Sequence, residues 1–192
     1  MPLSHREVIH MSFIMQYLLH PRSVGAIKAS SKHLAEKMIE DIDFCGAKCI
    51  VEIGAGTGAF TEKVVKKKKK ETIFLIFEIN KSFCHILREK FRNDPNLHII
   101  HDSAEYIGKY LDEYGIKQAD FIISGLPFAS LPTKISESIL NECRQCLVSG
   151  GSFITFQYTK MKMALLYRFF NDISLKREYR NMPPAYVMNC HN

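Results

Sequence analysis

Acidic residues and closely spaced glycines occur where strand-like runs end, with the types and spacing needed to hold a nucleotide-like ligand. An apolar run leads into Glu52, and Gly54, Gly56 and Gly58 follow at alternate positions before a helix-like segment. Glycine lets the backbone pass close to a ligand, and a turn from strand to helix directs free amide N–H groups toward it. This loop is therefore predicted to bind a nucleotide-like cofactor.

The loop alone leaves the cofactor open, because it also fits the dinucleotide pattern G-x-G-x-x-A. Three carboxylates narrow the choice. Glu52 disfavours a pyrophosphate and favours a cationic methionine moiety, and Glu78, at the end of the next strand-like run, can accept from both ribose hydroxyls. Asp102 follows the third run and can accept from an adenine amino group. Together the three acids predict S-adenosyl-L-methionine.

The predicted cofactor-binding residues are these acids and glycines with their neighbours: Glu52, Gly54, Ala55, Gly56, Gly58, Glu78, Ile79, Asp102, Ser103, Ala104 and Ser124. Each acid also has a plainer interpretation. Glu52 can be a strand-end charge in solvent, Glu78 a charge near a helix start, and Asp102 part of a helix cap.

The elements that must position these residues alternate between strand-like and helix-like runs. Strands are predicted over 49–53, 72–77, 97–101, 119–124 and 151–158, with a hairpin-like pair at 173–180 and 185–190. Helices are predicted over 5–19, 30–43, 58–69, 81–92, 103–114, 132–147 and 160–171. The pattern predicts an α/β, Rossmann-like fold with a doubly wound, seven-stranded, mostly parallel sheet and helices on both faces. Residues 1–29 are expected to form an N-terminal amphipathic helix and cofactor-covering segment, and 30–192 the cofactor-binding domain.

Composition and charge point to a single domain with an anionic partner. The chain has 192 residues, a net charge of +6 and a sequence pI of about 9.0, which suit an anionic membrane surface or nucleic acid. Six cysteines without a signal-peptide pattern favour a reduced, cytoplasmic compartment. The pair Cys143 and Cys146 stands alone, and the histidines show no recurring ligand spacing, so no metal is predicted. No apolar run approaches the roughly 18 residues of a membrane-spanning helix.

The motifs resemble those of known methyltransferases. The glycine loop with Glu52, together with Glu78 and Asp102, resembles the first three motifs of class I S-adenosylmethionine-dependent methyltransferases. The loop over 124–128, Ser-Gly-Leu-Pro-Phe, resembles the Asn-Leu-Pro-Tyr loop of ribosomal RNA adenine dimethylases. In that family the Asn accepts from the adenine amino group and the aromatic ring stacks on the base. Gly125 stands where that Asn would be, and losing a buried acceptor costs about 1–3 kcal/mol.

A second family is more similar over nearly the whole chain. The segments 21–31, 124–128 and 181–185 resemble bacterial phospholipid N-methyltransferases, although Ala29 stands where a proline is expected. That resemblance implies stepwise methylation of phosphatidylethanolamine toward phosphatidylcholine. It also implies a cytoplasmic enzyme, peripheral on the inner face of the cell membrane, whose helix 5–19 rests on the bilayer or serves as a lid over the cofactor. The segment 161–170 is a second candidate contact with the membrane, or packs on the sheet.

The residues expected to act on the amine lie around this loop and near the end of the chain. Tyr158, Tyr17 and Phe128 are the candidate catalytic residues, as proton acceptors or as rings against the methylated cation. The predicted substrate-binding residues are Gly125, Leu126, Pro127, Phe128, Arg177 and Arg180, the two arginines as ligands of a lipid phosphate. Restoring Asn at Gly125 is expected to leave cofactor binding intact.

Two other functions stay open at this point. One is an RNA adenine N6-methyltransferase without the helical domain that those enzymes carry. The other is a non-catalytic module that binds the cofactor or a membrane. The sequence also leaves open which amine lipid is used, since an ornithine-type lipid presents the same kind of amine.

Overall fold

The computed structural model describes residues 32–158, 163–181 and 183–192. The predicted helix over 5–19, the covering segment 1–29 and the candidate Tyr17 lie outside the described residues. Seven strands form one sheet: β1 (Cys49–Ile53), β2 (Ile73–Phe77), β3 (Leu97–Ile100), β4 (Ala119–Ser124), β5 (Leu147–Gln157), β6 (Asp172–Glu178) and β7 (Ala185–His191). Their order across the sheet is β3-β2-β1-β4-β5-β7-β6.

The first five strands are parallel, and β7 runs antiparallel between β5 and β6. The predicted doubly wound, seven-stranded, mostly parallel sheet is confirmed. β1 and β2 are apolar almost throughout because helices cover both faces of the sheet there. β5 begins at Leu147 and not at 151, because Leu147 already pairs with Ala119 of β4. The register then shifts, and the pairing resumes between Phe121 and Ser152.

The helices are α1 (residues 32–38), α2 (Ala59–Lys67), α3 (Lys81–Phe91), α4 (Ile107–Glu113), α5 (Thr133–Cys146) and α6 (Met163–Leu166), with a 3₁₀ turn over Ala104–Tyr106 before α4. One buried cluster joins α4, α5 and α6 to one face of the sheet. A second joins α1, α2 and α3 to the other. α6 is shorter than the predicted helix over 160–171, because turns replace helix after Leu166.

The strand register brings the predicted site residues to one edge of the sheet. Ile53 pairs with Phe77 on one side and with Ser124 on the other, and Ser124 pairs with Thr155. The loops that follow β1, β2, β4 and β5 therefore leave the sheet side by side. In open α/β sheets ligands bind at this carboxyl edge. Among the described helices, none is both long enough and apolar enough to cross a membrane.

Candidate cofactor and substrate site

The loop after β1 turns on three glycines in the left-handed region, with φ of 70° at Gly54, 56° at Gly56 and 85° at Gly58. A side chain other than hydrogen is strained at such angles. A Cβ on Gly54 would also lie 2.5 Å from Cδ2 of Leu126, whereas a Cβ on Gly56 would meet no atom of the described residues within 4 Å. The loop is thus packed from below and open at Gly56, as a cradle for a ligand requires.

Glu52 lies fully buried beneath this loop. Thr61 on α2 donates a hydrogen bond of 2.8 Å to its Oε2, while its Oε1 has no hydrogen-bond partner within the described ranges. Burial raises the pKa of this carboxyl to about 8, the charge of Glu78 adds to the rise, and the Thr61 bonds oppose it. A buried, unsatisfied carboxylate oxygen at this point fits a cationic cofactor, whose charge would favour the ionised form.

Glu78 joins the end of β2 to the glycine loop. Its Oε2 accepts from the amide of Gly56 and its Oε1 from the amide of Asn80, both at 2.8 Å. Each carboxylate oxygen keeps a further lone pair, so the side chain can still accept from two ribose hydroxyls. Beside it, the apolar side chain of Ile79 is 50% exposed at the same edge, and its contact with the cofactor stays a prediction.

Asp102 is held by two donors that converge on its carboxylate. The amide of Ser103 donates to Oδ1 at 2.7 Å, and the hydroxyl of Tyr110 on α4 donates to Oδ2 at 2.9 Å. This bond raises the pKa of Tyr110, whose ring packs edge-on against Phe77 at 5.5 Å. Ser103 caps the 3₁₀ turn. A role for Tyr110 was not predicted from the sequence. The one signal for it was its place in the helix that follows Asp102.

The loop after β4 lies directly against the glycine loop. The amide of Gly125 donates to the carbonyl of Ile53 at 2.8 Å, and a Cβ on Gly125 would lie 2.4 Å from the carbonyl oxygen of Gly54. The expectation that Asn could replace Gly125 without affecting the cofactor site is therefore wrong. The room for that side chain is occupied by the backbone of the cofactor loop.

The other substrate-side candidates have different surroundings. Leu126 and Pro127 are partly buried in the loop after β4. Phe128 is fully buried and packs edge-on against Phe153, with ring centroids 6.1 Å apart. Its ring therefore belongs to the core in this structure, and its role toward a methylated cation stays a prediction. Tyr158, directly after β5, is 40% exposed and packs edge-on against Phe156.

The two arginines differ in what already occupies them. The Arg177 guanidinium lies over the rings of Tyr179 and Tyr186, at 4.7 and 5.2 Å. Arg180 makes a two-point contact with the buried carboxylate of Glu178, at 3.0 and 3.2 Å. Arg180 thus has a structural partner, and binding of a phosphate by either arginine stays a prediction.

No group of three or more His, Cys, Asp or Glu side chains placed to hold a metal occurs among residues 32–158, 163–181 and 183–192. The thiols of Cys143 and Cys146 are free and buried, and burial raises the pKa of both. They behave as core side chains of α5.

Comparison with known proteins gives three kinds of match. The family model described as ribosomal RNA adenine dimethylase matches residues 29–170. The ornithine lipid N-methyltransferase of Singulisphaera acidiphila is 29% identical over 181 residues, which are 93% of each chain. The ribosomal RNA small subunit methyltransferase A of Mesomycoplasma hyopneumoniae is 35% identical over 114 residues, covering 59% of this chain and 40% of that protein.

Among solved structures, phosphoethanolamine N-methyltransferase 1 of Haemonchus contortus, in complex with phosphoethanolamine and S-adenosylhomocysteine, superposes with a TM-score of 0.71. The match covers 100% of this chain and 50% of that one at 12% identity, so it speaks for the fold alone.

Proposed function

The chain belongs to the ribosomal RNA adenine dimethylase family and is an S-adenosylmethionine-dependent N-methyltransferase, and we propose that its acceptor is an amine on a membrane lipid. The predicted cofactor and the resemblance to class I methyltransferases are confirmed. The choice of a lipid amine as the methyl acceptor is the part that we propose.

Gly125 carries this proposal. In the relatives that act on adenine, an Asn at this place accepts from the base amino group, according to the resemblance described above. Here the position has neither the side chain nor the room for one, because the Gly54 carbonyl oxygen lies 2.4 Å from where a Cβ would be. The match to an ornithine lipid N-methyltransferase over 93% of both chains supports the same acceptor class. By contrast, the match to the ribosomal RNA small subunit methyltransferase A spans only 40% of that protein's length.

When bound, S-adenosylmethionine supplies a sulfonium methyl group, which passes to the nitrogen lone pair as the carbon–sulfur bond breaks. Glu52 provides a buried carboxylate oxygen for the cationic cofactor, and Glu78 and Asp102 provide acceptors for its ribose and base. The loop after β4, which contacts the glycine loop at Gly125, brings the acceptor against it. These residues act by binding and orientation, which suits a reaction that moves positive charge from sulfur to nitrogen.

The lipid we propose is phosphatidylethanolamine, methylated toward phosphatidylcholine, or an ornithine-type lipid; both carry a primary amine near an anionic group. A net charge of +6 favours a membrane surface with anionic lipids. We further propose that the protein is peripheral on the inner face of the cell membrane, held through residues 5–19. Tyr158 is the proposed proton acceptor, since it is partly exposed at the carboxyl end of β5.

The test is transfer of labelled methyl from S-adenosylmethionine to defined acceptors. The acceptors are phosphatidylglycerol vesicles containing phosphatidylethanolamine, the same vesicles containing ornithine lipid, and unmodified small-subunit ribosomal RNA. Label in a lipid extract supports the proposal and identifies the lipid. Label in RNA alone overturns it in favour of adenine methylation, which the family match favours as the second candidate. Gly56→Val serves as the inactive control, since it adds bulk at a φ of 56°.

A further inference from the structure

Two buried side chains at the carboxyl end of β5 have polar atoms that no described residue satisfies. Gln157 is 4% exposed, and neither its Oε1 nor its Nε2 has a hydrogen-bond partner in the described part of the chain. The Oγ1 of Thr155, two residues earlier, is fully buried and is likewise without a partner there. Most buried polar side-chain atoms in proteins are hydrogen-bonded, so a carboxamide with both ends unsatisfied requires an explanation.

The register places these groups beside the substrate loop. Thr155 lies directly opposite Ser124, the last residue of β4 before the loop that contains Gly125. Side chains alternate along a strand, so Gln157 shares the face of Thr155 and Ser124 and lies about 6.6 Å further toward the carboxyl edge. On its other side Gln157 pairs with Tyr186, which in turn pairs with Arg177.

The carboxamide has no evident value for folding. An unsatisfied buried amide destabilises the folded state, and an apolar side chain of the same shape would be neutral or stabilising. Residues of this kind are expected where a protein keeps a polar group for a ligand at the expense of stability. Gln157 also stands next to the loop whose usual acceptor position, at Gly125, has no room for a side chain.

We propose that Gln157 binds the headgroup of the acceptor substrate, its Oε1 accepting from an N–H of the amine. Its Nε2 donates to an anionic oxygen of the same headgroup, on the side of the sheet where Tyr186 and then Arg177 are paired beside Gln157. The acceptor function of the Asn that Gly125 excludes is thus supplied from the neighbouring strand. This inference rests on the proposed function, since it concerns the amine that the enzyme methylates.

The test is Gln157→Met, which keeps the length of the side chain and removes both polar ends. We expect kcat/KM for the amine lipid to fall about tenfold or more, mainly through KM. Calorimetric affinity for S-adenosylhomocysteine should stay within about twofold, and Tm should be unchanged or higher. The substrates are phosphatidylglycerol vesicles with phosphatidylethanolamine in one arm and with ornithine lipid in the other. An equal loss in both arms indicates recognition of the shared amine, and a loss in one arm identifies the headgroup that Gln157 fits.

The matched control is Asn189→Leu on β7. Asn189 is also a buried amide with an oxygen that accepts no bond from a described residue, but it pairs with Ile154 and so lies on the opposite face of the sheet. The Asn189→Leu variant should methylate both lipids with wild-type kinetics. Unchanged lipid kinetics in Gln157→Met, or a clear fall in its Tm, would overturn the role of Gln157 while leaving lipid methylation intact. A wild-type protein that labels neither lipid would overturn both proposals.

Discussion

Gly125 and Gly54 approach so closely that a Cβ on Gly125 would lie 2.4 Å from the carbonyl oxygen of Gly54. The amide of Gly125 also donates to Ile53, the residue before Gly54. The loop proposed to receive the methyl acceptor and the loop predicted to hold the methyl donor are therefore in direct backbone contact. A change at either glycine is expected to affect both ligands.

Gly125→Ala is expected to weaken cofactor binding, although Gly125 belongs to the acceptor loop. The added methyl overlaps a backbone atom, which cannot rotate away as a side chain could, and such overpacking costs about 1–3 kcal/mol. We expect affinity for S-adenosylhomocysteine to fall about tenfold or more by titration calorimetry. Gly115→Ala is the control. It strains the backbone, since φ at Gly115 is 70°, but its Cβ would meet no described atom within 4 Å. Wild-type affinity in Gly125→Ala would contradict the contact.

The fold was predictable from the sequence because its signals are local and repeated. The apolar runs of β1 and β2, with Glu52 near the end of β1 and Glu78 directly after β2, mark both the strands and the carboxyl edge. Sequence patterns could not give the packing between loops that lie far apart in the chain. The clash at Gly125 and the bond from Tyr110 to Asp102 both depend on side chains or backbone from different elements.

The burial of individual side chains was the second property that sequence patterns could not predict. Phe128 was predicted at the substrate from its place after Gly125, yet it packs in the core against Phe153. Gln157 lies inside the predicted strand 151–158 with no signal of its own, and its unsatisfied carboxamide is evident only from its neighbours in the fold. Glu52 was expected near a cation, but its raised pKa follows from enclosure by the sheet and α2.

Glu52 is expected to couple cofactor binding to pH. With its pKa raised to about 8, the carboxyl is protonated at neutral pH, and a bound cation would favour its ionised form. Binding of S-adenosylmethionine near neutral pH should therefore release close to one proton, and affinity should increase with pH up to about pH 8. Calorimetry in buffers of different ionisation enthalpy counts that proton. In Glu52→Gln the release and the pH dependence of affinity should both disappear, and their persistence would assign them to another group.

The same shift makes a prediction for stability without cofactor. The folded protein holds a proton on Glu52 between the ordinary pKa of 4.5 and about 8, whereas the unfolded chain has lost it. The contribution of Glu52 to the free energy of unfolding therefore decreases as pH rises through that window and is constant above it. Glu52→Gln should gain Tm relative to the wild type across the window. A Tm difference that is independent of pH would show that Glu52 titrates near its ordinary pKa.

Glu78→Gln is expected to reduce cofactor affinity by about tenfold to a hundredfold, as for loss of hydrogen bonds to a charged group. The carboxylate accepts from two backbone amides, those of Gly56 and Asn80. A glutamine has one acceptor oxygen, so its NH₂ would face one of these N–H groups. Glu89→Gln, at an exposed position of α3, is the matched control and should bind normally. Calorimetry with S-adenosylhomocysteine measures both, and equal affinities would exclude Glu78 from the ribose site.

Tyr110→Phe is expected to weaken recognition of the adenine amino group without disturbing the fold. The change removes the hydroxyl that donates to Asp102 Oδ2 and keeps the ring on Phe77. Loss of one such bond costs about 0.5–1.5 kcal/mol, so affinity for S-adenosylhomocysteine should fall about twofold to tenfold.

The informative measurement compares this ligand with S-inosylhomocysteine, which lacks the amino group. The wild type should prefer the amino ligand, and the preference should shrink in Tyr110→Phe and disappear in Asp102→Ala. Tyr114→Phe removes a hydroxyl from a tyrosine that packs on His98 and should keep the full preference. If Tyr110→Phe keeps it as well, Asp102 is oriented by Ser103 alone, and the Tyr110 bond serves only the packing of α4.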